Sequence, residues 1–273
     1  MECLYINLDT ATDRRTSIEN SFDKYRRGNW TLRRVIGVDA ASIETAQISG
    51  ILSSAQKACV LSHRKAVGES LGNDDHVMIS EDDTIFGEST FKHIDAILAP
   101  KATPNWDILY MDVGVSSIAV MINLLILRRA LLGTGRVEIR SLKNVEFHGA
   151  NSYLINVDSK QKIYNLLKNE NKFDLPYDLF LRRLINEQRL NCFFVYPFLT
   201  TLSELGDIST IPGDQNSNMG LCWSLFRRMV WVDADHNSLR SQLAYMENTL
   251  SEEAKAYGII WSGMLQNSLF SKK

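Results

Sequence analysis

Along this chain, short apolar runs alternate with segments whose apolar positions recur every three or four residues. Residues 3–8 form a first apolar run that predicts a buried strand, and residues 13–25 predict a charged helix after a polar turn. Asp13 is placed to cap that helix, because its carboxylate accepts from free first-turn amides. Residues 32–38 predict a second strand ending at Asp39, and 53–71 a helix with Val60, Arg64, Val67 and Leu71 on one face. A third strand, 76–80, stops abruptly at three acids. Helix 89–98, strand 107–111, strand 152–157, helix 159–168, helix 176–188 and strand 191–199 follow. Strand–helix alternation of this kind predicts an α/β fold, a mostly parallel sheet flanked by helices, with ligands at the carboxyl ends of the strands.

The remaining quantities narrow the class. A chain of 273 residues can bury a full core, and 45% hydrophobic with 23% charged residues is an ordinary globular composition. A net charge of −2 and the lack of a basic stripe argue against a nucleic-acid partner. Cys3, Cys59, Cys192 and Cys222 are scattered with no CxxC pair, which predicts reduced thiols and argues against a structural zinc site. No secretory signal pattern is visible, and the apolar stretch from Val113 to Leu127 is shorter than the ~20 residues that span a bilayer. The expectation is a cytoplasmic protein, at most peripheral at the inner face of the cytoplasmic membrane.

The chemistry concentrates at Glu81-Asp82-Asp83. Three consecutive carboxylates at the end of a buried strand repel one another unless a cation or hydrogen bonds compensate. A divalent metal bridging a diphosphate would do so with hard oxygen ligands; a solvated turn capping the next helix is the plainer alternative.

Around those acids the sequence resembles the bacterial lipooligosaccharide glycosyltransferases, family 25. The motifs are Tyr5-Ile-Asn-Leu8 with Asp13-Arg14-Arg15, Gly37-Val-Asp-Ala40, Cys59-Val-Leu-Ser-His63-Arg-Lys-Ala66, Ile79-Ser-Glu-Asp-Asp83 and Gly149-Ala-Asn-Ser-Tyr-Leu-Ile155. The likeness covers about residues 3–205. It implies a GT-A-type nucleotide-binding domain and a sugar-nucleotide donor such as a UDP-hexose. It also implies Mn²⁺ or Mg²⁺ as cofactor, and inversion at the anomeric carbon. The sugar would be galactose-like, with galactofuranose as a variant, and the acceptor a hydroxyl of a cell-surface glycan or glycolipid.

Carried over position by position, Asn7, Arg14, Asp39, Ser62, His63 and Asp82 fall at the donor. Arginine suits diphosphate through its planar fork of donors. Asp83 and Glu81, on one side of an extended chain, would be the metal ligands, with Asp112 and His148 as weaker candidates. Asp178 aligns with a helix acid of the family and would be the general base that an inverting transfer needs. Each has a plainer reading: Arg14 as a solvated helix residue, Asp39 as a turn acid, His63 as a half-buried histidine, His148 as a loop histidine, Asp178 as a helix N-terminal acid. The chain departs from the family at Asn151, where a small residue is usual, at 201–208, and in the apolar stretch 113–132, which would face lipid or a partner.

After Ser203 the composition shifts, so residues 1–214 are read as the transferase domain and 215–273 as a helical C-terminal appendage. Its segment Trp223, Phe226, Arg227, Arg228, Trp231 suits a headgroup layer, or packs back on the core or on a second copy with the arginines exposed. Two other classes keep the same acids: a non-catalytic carbohydrate- or nucleotide-binding module, and a metal-dependent phosphohydrolase. The latter favours an Asp-X-Asp after the first strand, which Asn7-Leu8-Asp9 matches poorly.

Overall fold

The computed structural model describes residues 1–46, 48–99, 105–204, 218–235, 239–241, 244 and 252–266. Its framework is a seven-stranded sheet in the order β2-β1-β3-β7-β5-β8-β6. The strands are β1 (Glu2–Asn7), β2 (Thr31–Ile36), β3 (Val77–Glu81), β5 (Ile108–Tyr110), β6 (Glu138–Ser141), β7 (Ser152–Ile155) and β8 (Cys192–Tyr196). β1, β2 and β3 pair in parallel, as do β5 and β8, while β7 and β6 run the other way. Five strands therefore share one direction, the mostly parallel α/β sheet that the alternation predicts. A second, two-stranded sheet pairs β4 (Thr84–Phe86) with β9 (Thr200–Leu202).

Alternate residues of the central strands serve opposite faces, because a strand's side chains have a period of two. Leu4, Ile79, Tyr110, Tyr153 and Tyr196 bury one face under helices α3 (Ser54–Glu69), α5 (Ile118–Leu131), α6 (Lys160–Lys168), α7 (Tyr177–Asn186) and α8 (Asn218–Met229). Cys3, Tyr5, Met78, Leu109, Leu154 and Val195 bury the other under α1 (Thr12–Tyr25) and α4 (Thr90–Leu98). A short helix α2 (Ala40–Ala46), a further helix α9 (Glu252–Gln266) and two 3-10 turns (Ser70–Gly72 and Val157–Ser159) are also described.

The caps show where sequence and structure part. Ser53 accepts from the Gln56 amide and Gln56 returns the bond, a reciprocal cap on α3. Asp13, by contrast, lies inside the first turn of α1; Ala11 holds the cap position and no side chain caps it. An acid there still favours the helix through the dipole, without the specific bond.

Two segments singled out in the sequence are placed by the structure. The apolar stretch 113–132 contains α5, which buries Met121, Leu124, Leu125 and Leu131 and exposes Ile118, Ile122 and Ile126. No described helix is long and apolar enough to cross a membrane. The boundary expected at 214 lies outside the described residues. Beyond it, α8 buries Cys222, Leu225, Phe226 and Met229 in the main core. Arg227 and Arg228, expected on an exposed face, are buried at 4% and 8% exposure. Their charges answer internal acceptors: Asp112 and Asn151 for Arg227, the Leu202 and Ser203 carbonyls for Arg228.

Candidate active site

β1, β2 and β3 end side by side, and the loops that leave them enclose a cavity of about 320 Å³. β1 and its loop supply Asn7, α1 supplies Arg14, the end of β2 supplies Asp39, α3 supplies Ser62 and His63, and β3 supplies Glu81 and Asp82. Seven residues singled out from the sequence thus meet in one place. A parallel sheet forces this, since successive carboxyl ends emerge on one edge.

Most of these side chains are already tied. Asn7 donates to Asp82 Oδ2 at 2.8 Å and accepts from Arg34 Nε at 3.0 Å. Arg14 reaches Asp82 Oδ1 at 3.1 Å and Asp83 Oδ2 at 3.9 Å. Ser62 accepts from the Val38 amide at 2.8 Å, so its hydroxyl fixes the loop after β2. Asp39 is exposed and uses one oxygen on the Ala41 amide. His63 is 1% exposed, lies flat on Tyr177 with centroids 4.0 Å apart, and sets Nδ1 2.9 Å from the Tyr153 hydroxyl. Its Nε2 is 3.3 Å from Glu81 Oε1.

A second cavity of about 400 Å³ adjoins the first, sharing Cys59 and Glu81 as walls. Its other walls include His148, Gly149, Asn151, Asp178 and Trp223. Asp178 accepts from the Gly149 amide at 2.7 Å and from the Leu179 amide at 2.9 Å, which fixes both carboxylate oxygens. Gly149 has a φ of +74°, a left-handed conformation that glycine adopts without strain.

The three acids take different roles. Asp82 faces the first cavity; burial raises its pKa despite the bonds from Asn7 and Arg14. Glu81 faces both cavities. Burial pushes its carboxyl up, but His63, Arg227 and Arg14 outweigh that and hold it below the ordinary range. Asp83 is 8% exposed and lines neither cavity. Asn151 Nδ2 donates to its Oδ1 at 2.9 Å, and its carbonyl accepts from the Ser203 amide at 2.7 Å. Burial and the neighbouring Glu81 push its pKa up to about 7 against the pull of Arg14.

Asp112 lines neither cavity, and His148 lines only the second. Asp112 is fully buried, and its carboxylate is taken up by Arg227 and Thr200. His148 exchanges backbone bonds with Gly114 and packs at a tilt against Trp223; burial, Arg227 and Arg182 lower its pKa to about 4, so the ring is neutral near pH 7.

The family comparison fits this geometry. The model of glycosyltransferase family 25, described as an LPS biosynthesis protein, matches residues 1–181. The chain belongs to glycosyltransferase family 25. Its strands β1, β2 and β3, both cavities' acids and Asp178 all lie within the match, while β8, β9 and α8 lie beyond it. No curated protein matches this family 25 chain.

Solved structures are similar only at a distance. The apo-form glycosyltransferase GlyE of Streptococcus pneumoniae TIGR4 shares 11% identity at a TM-score of 0.38, over 70% of this chain and 44% of that one. Mouse xyloside xylosyltransferase 1 in its apo form shares 12% at 0.37, over 71% and 84%. The inositol-1-phosphate CTP transferase from T. maritima shares 11% at 0.37, over 86% and 97%. The chain spans less than half the length of GlyE.

Several participants escape a sequence reading. Arg34 steadies Asn7, Tyr153 and Tyr177 orient His63, and Arg227 reaches Asn151 Oδ1 at 2.9 Å. Asn151, noted in the sequence only as a departure, holds Asp83. The aromatic, basic run around Arg227 is the visible signal of α8; it allows packing on the core, but not the burial of Arg227 and Arg228.

Proposed function

We propose that this family 25 transferase moves a galactose-like hexose, with galactofuranose as a variant, from a UDP-sugar to a hydroxyl of a cell-surface glycan of the LPS or O-antigen type. The observation that carries this reading is the first cavity. It joins Asn7, Arg14, Asp39, Ser62, His63, Glu81 and Asp82 at the ends of three parallel strands, next to a second cavity that holds Asp178. In this arrangement Asp39 accepts from the nucleoside, Arg14 faces the diphosphate, and the sugar lies where the cavities meet.

The transfer inverts the anomeric carbon. The acceptor oxygen attacks that carbon from the second cavity while the bond to the nucleoside diphosphate breaks. Asp178 takes the hydroxyl proton, and the diphosphate leaves with the bonding pair. Each Asp178 oxygen accepts one amide and retains a second lone pair for that task. Trp223 offers the acceptor a ring on the same wall.

Glu81 and Asp83 would hold Mn²⁺ or Mg²⁺, with Asp82 placed for a sugar hydroxyl. Two carboxylates suit a hard cation, and burial, then the neighbouring Glu81, make the charged form of Asp83 costly without a counter-charge. Bound there, the cation would neutralise charge on the leaving diphosphate.

The test is a thermal-shift screen of UDP, GDP, CMP and their sugar conjugates, each with Mn²⁺ and with EDTA. A ligand that binds the native state raises the melting temperature by mass action. A Mn²⁺-dependent shift with UDP or a UDP-hexose, lost in Asp83→Ala, is the expected result. A shift confined to GDP or CMP compounds would overturn the UDP assignment, and shifts equal in Mn²⁺ and EDTA would overturn the metal assignment.

A further inference from the structure

The wall shared by the two cavities carries a second kind of chemistry. Cys59 and His63 are four residues apart on α3, one turn of helix, and so project from the same face. Glu81, at the end of β3, meets them there. The Cys59 Sγ, one His63 ring nitrogen and one Glu81 oxygen all lie within 4.8 Å of one another.

We propose that Cys59, His63 and Glu81 form a three-ligand site for a borderline divalent metal of the zinc class, with its fourth position open to the cavities. The donor types are one sulfur, one imidazole nitrogen and one carboxylate oxygen, a combination that selects zinc over the hard cations that prefer all-oxygen sites. The spacing agrees. Two ligands at tetrahedral zinc lie about 3.3 Å apart, and His63 Nε2 to Glu81 Oε1 is 3.3 Å.

The surroundings brace the imidazole as a ligand. The Tyr153 hydroxyl at Nδ1 sets the ring's orientation, as outer partners do for metal-bound histidines, and Tyr177 clamps its face. The Tyr153 hydroxyl is in turn 2.8 Å from that of Tyr177. Cys59 and Glu81 line both cavities, so water or a ligand oxygen has access to the remaining position. In the metal-free chain, burial and then the neighbouring Glu81, Asp178 and Asp83 keep the Cys59 thiol protonated. Binding would release that proton to solvent, leaving a thiolate on the metal.

A lack of CxxC pairs does not bear on this site, because a cysteine and a histidine on one helix need only a third ligand from another element. If the donor reading above holds, zinc here competes with the hard cation for Glu81 and inhibits transfer. The site itself does not rest on that reading.

The test uses the full chain, stripped of metal by chelation and titrated with Co²⁺ in place of Zn²⁺, without donor or acceptor. One equivalent is expected to bring up a thiolate-to-cobalt charge-transfer band in the near ultraviolet, which Zn²⁺ bleaches. Cys59→Ser should lose the band, and Cys59→Ser and His63→Gln should each weaken Zn²⁺ binding at least tenfold, with circular dichroism confirming the fold. The absence of a thiolate band in the parent chain overturns the proposal. So does a band that survives in Cys59→Ser, or parental Zn²⁺ affinity in a folded His63→Gln. With no sugar nucleotide present, none of these results depends on which donor the enzyme uses.

Discussion

Arg227 and Asp83 share one amide. The Asn151 Oδ1 accepts from Arg227 Nη2 at 2.9 Å, while its Nδ2 donates to Asp83 Oδ1 at 2.9 Å. The same guanidinium pairs with Asp112, whose carboxylate is fully buried. A residue of α8 thereby fixes which end of Asn151 faces the acidic turn.

Removing that guanidinium leaves Asp112 uncompensated. Arg227→Met is expected to cost about 3–5 kcal/mol, the usual penalty for breaking a buried pair from one side, read as a lowered midpoint in urea denaturation. The double variant Arg227→Met with Asp112→Asn should recover part of the loss, because the stranded charge is gone. A double variant as unstable as the sum of the two single ones would show that the pair is not coupled.

Asp83 is a buried carboxylate beside Glu81, so its charge is costly in the fold. Its folded pKa of about 7 lies above the unfolded value, so the carboxyl prefers its proton in the fold. That contribution to stability is fully present below about pH 4 and is lost as pH rises through about 7. Metal-free Asp83→Asn should therefore melt above the parent at pH 8 and close to it at pH 4. Equal melting differences at both pH values would contradict this account.

His148 acts with the opposite sign. Its folded pKa of about 4 lies below the unfolded value near 6.5, so the unfolded chain takes up the proton first. Stability from this residue is intact above about pH 6.5 and falls as pH drops toward 4. Because Asp83 titrates in an overlapping window, the comparison is between His148→Gln and its parent: the variant should lose less stability between pH 6.5 and 4.5. A parallel decline in both would remove His148 from the explanation.

Asp178 separates chemistry from donor binding. It lines the second cavity and not the first. Asp178→Asn should lower kcat by about 100-fold or more, the scale of a lost general base, while leaving the UDP thermal shift in place. Transfer at the parental rate would discard Asp178 as the base.

The sequence makes the first half of this chain legible because its information is local. Alternation in Cys3, Leu4 and Tyr5 sets β1 between two faces, and a hydrophobic strand that stops at three acids places Glu81, Asp82 and Asp83 at its end. Once β1, β2 and β3 are parallel, Asn7, Asp39 and Asp82 must converge. What stayed hidden depends on contacts across long separations. Thr84 to Phe86 and Thr200 to Leu202 are three-residue strands, too short to show a period, yet their pairing and the Ser203 bond to the Asp83 carbonyl pin the acidic turn. Arg227 looks like a surface residue by type, and only the buried Asp112, 115 positions away, explains its place inside.

The reversed direction of β7 has its own consequence. A strand parallel to β3 would bring its far end to the acids, whereas β7 brings the residue just before it begins. Asn151 therefore meets β3 at its exit: its carbonyl takes the Glu81 amide at 2.7 Å and its side chain takes Asp83. The two halves of the polypeptide close on the acidic turn like opposing jaws, one ending there and the other starting there. A small shift of β7 along the sheet would slide the amide past the acids and leave every strand pairing partner one place out. The spacing of the acidic turn is thus set by the register of the whole sheet rather than by the loop alone.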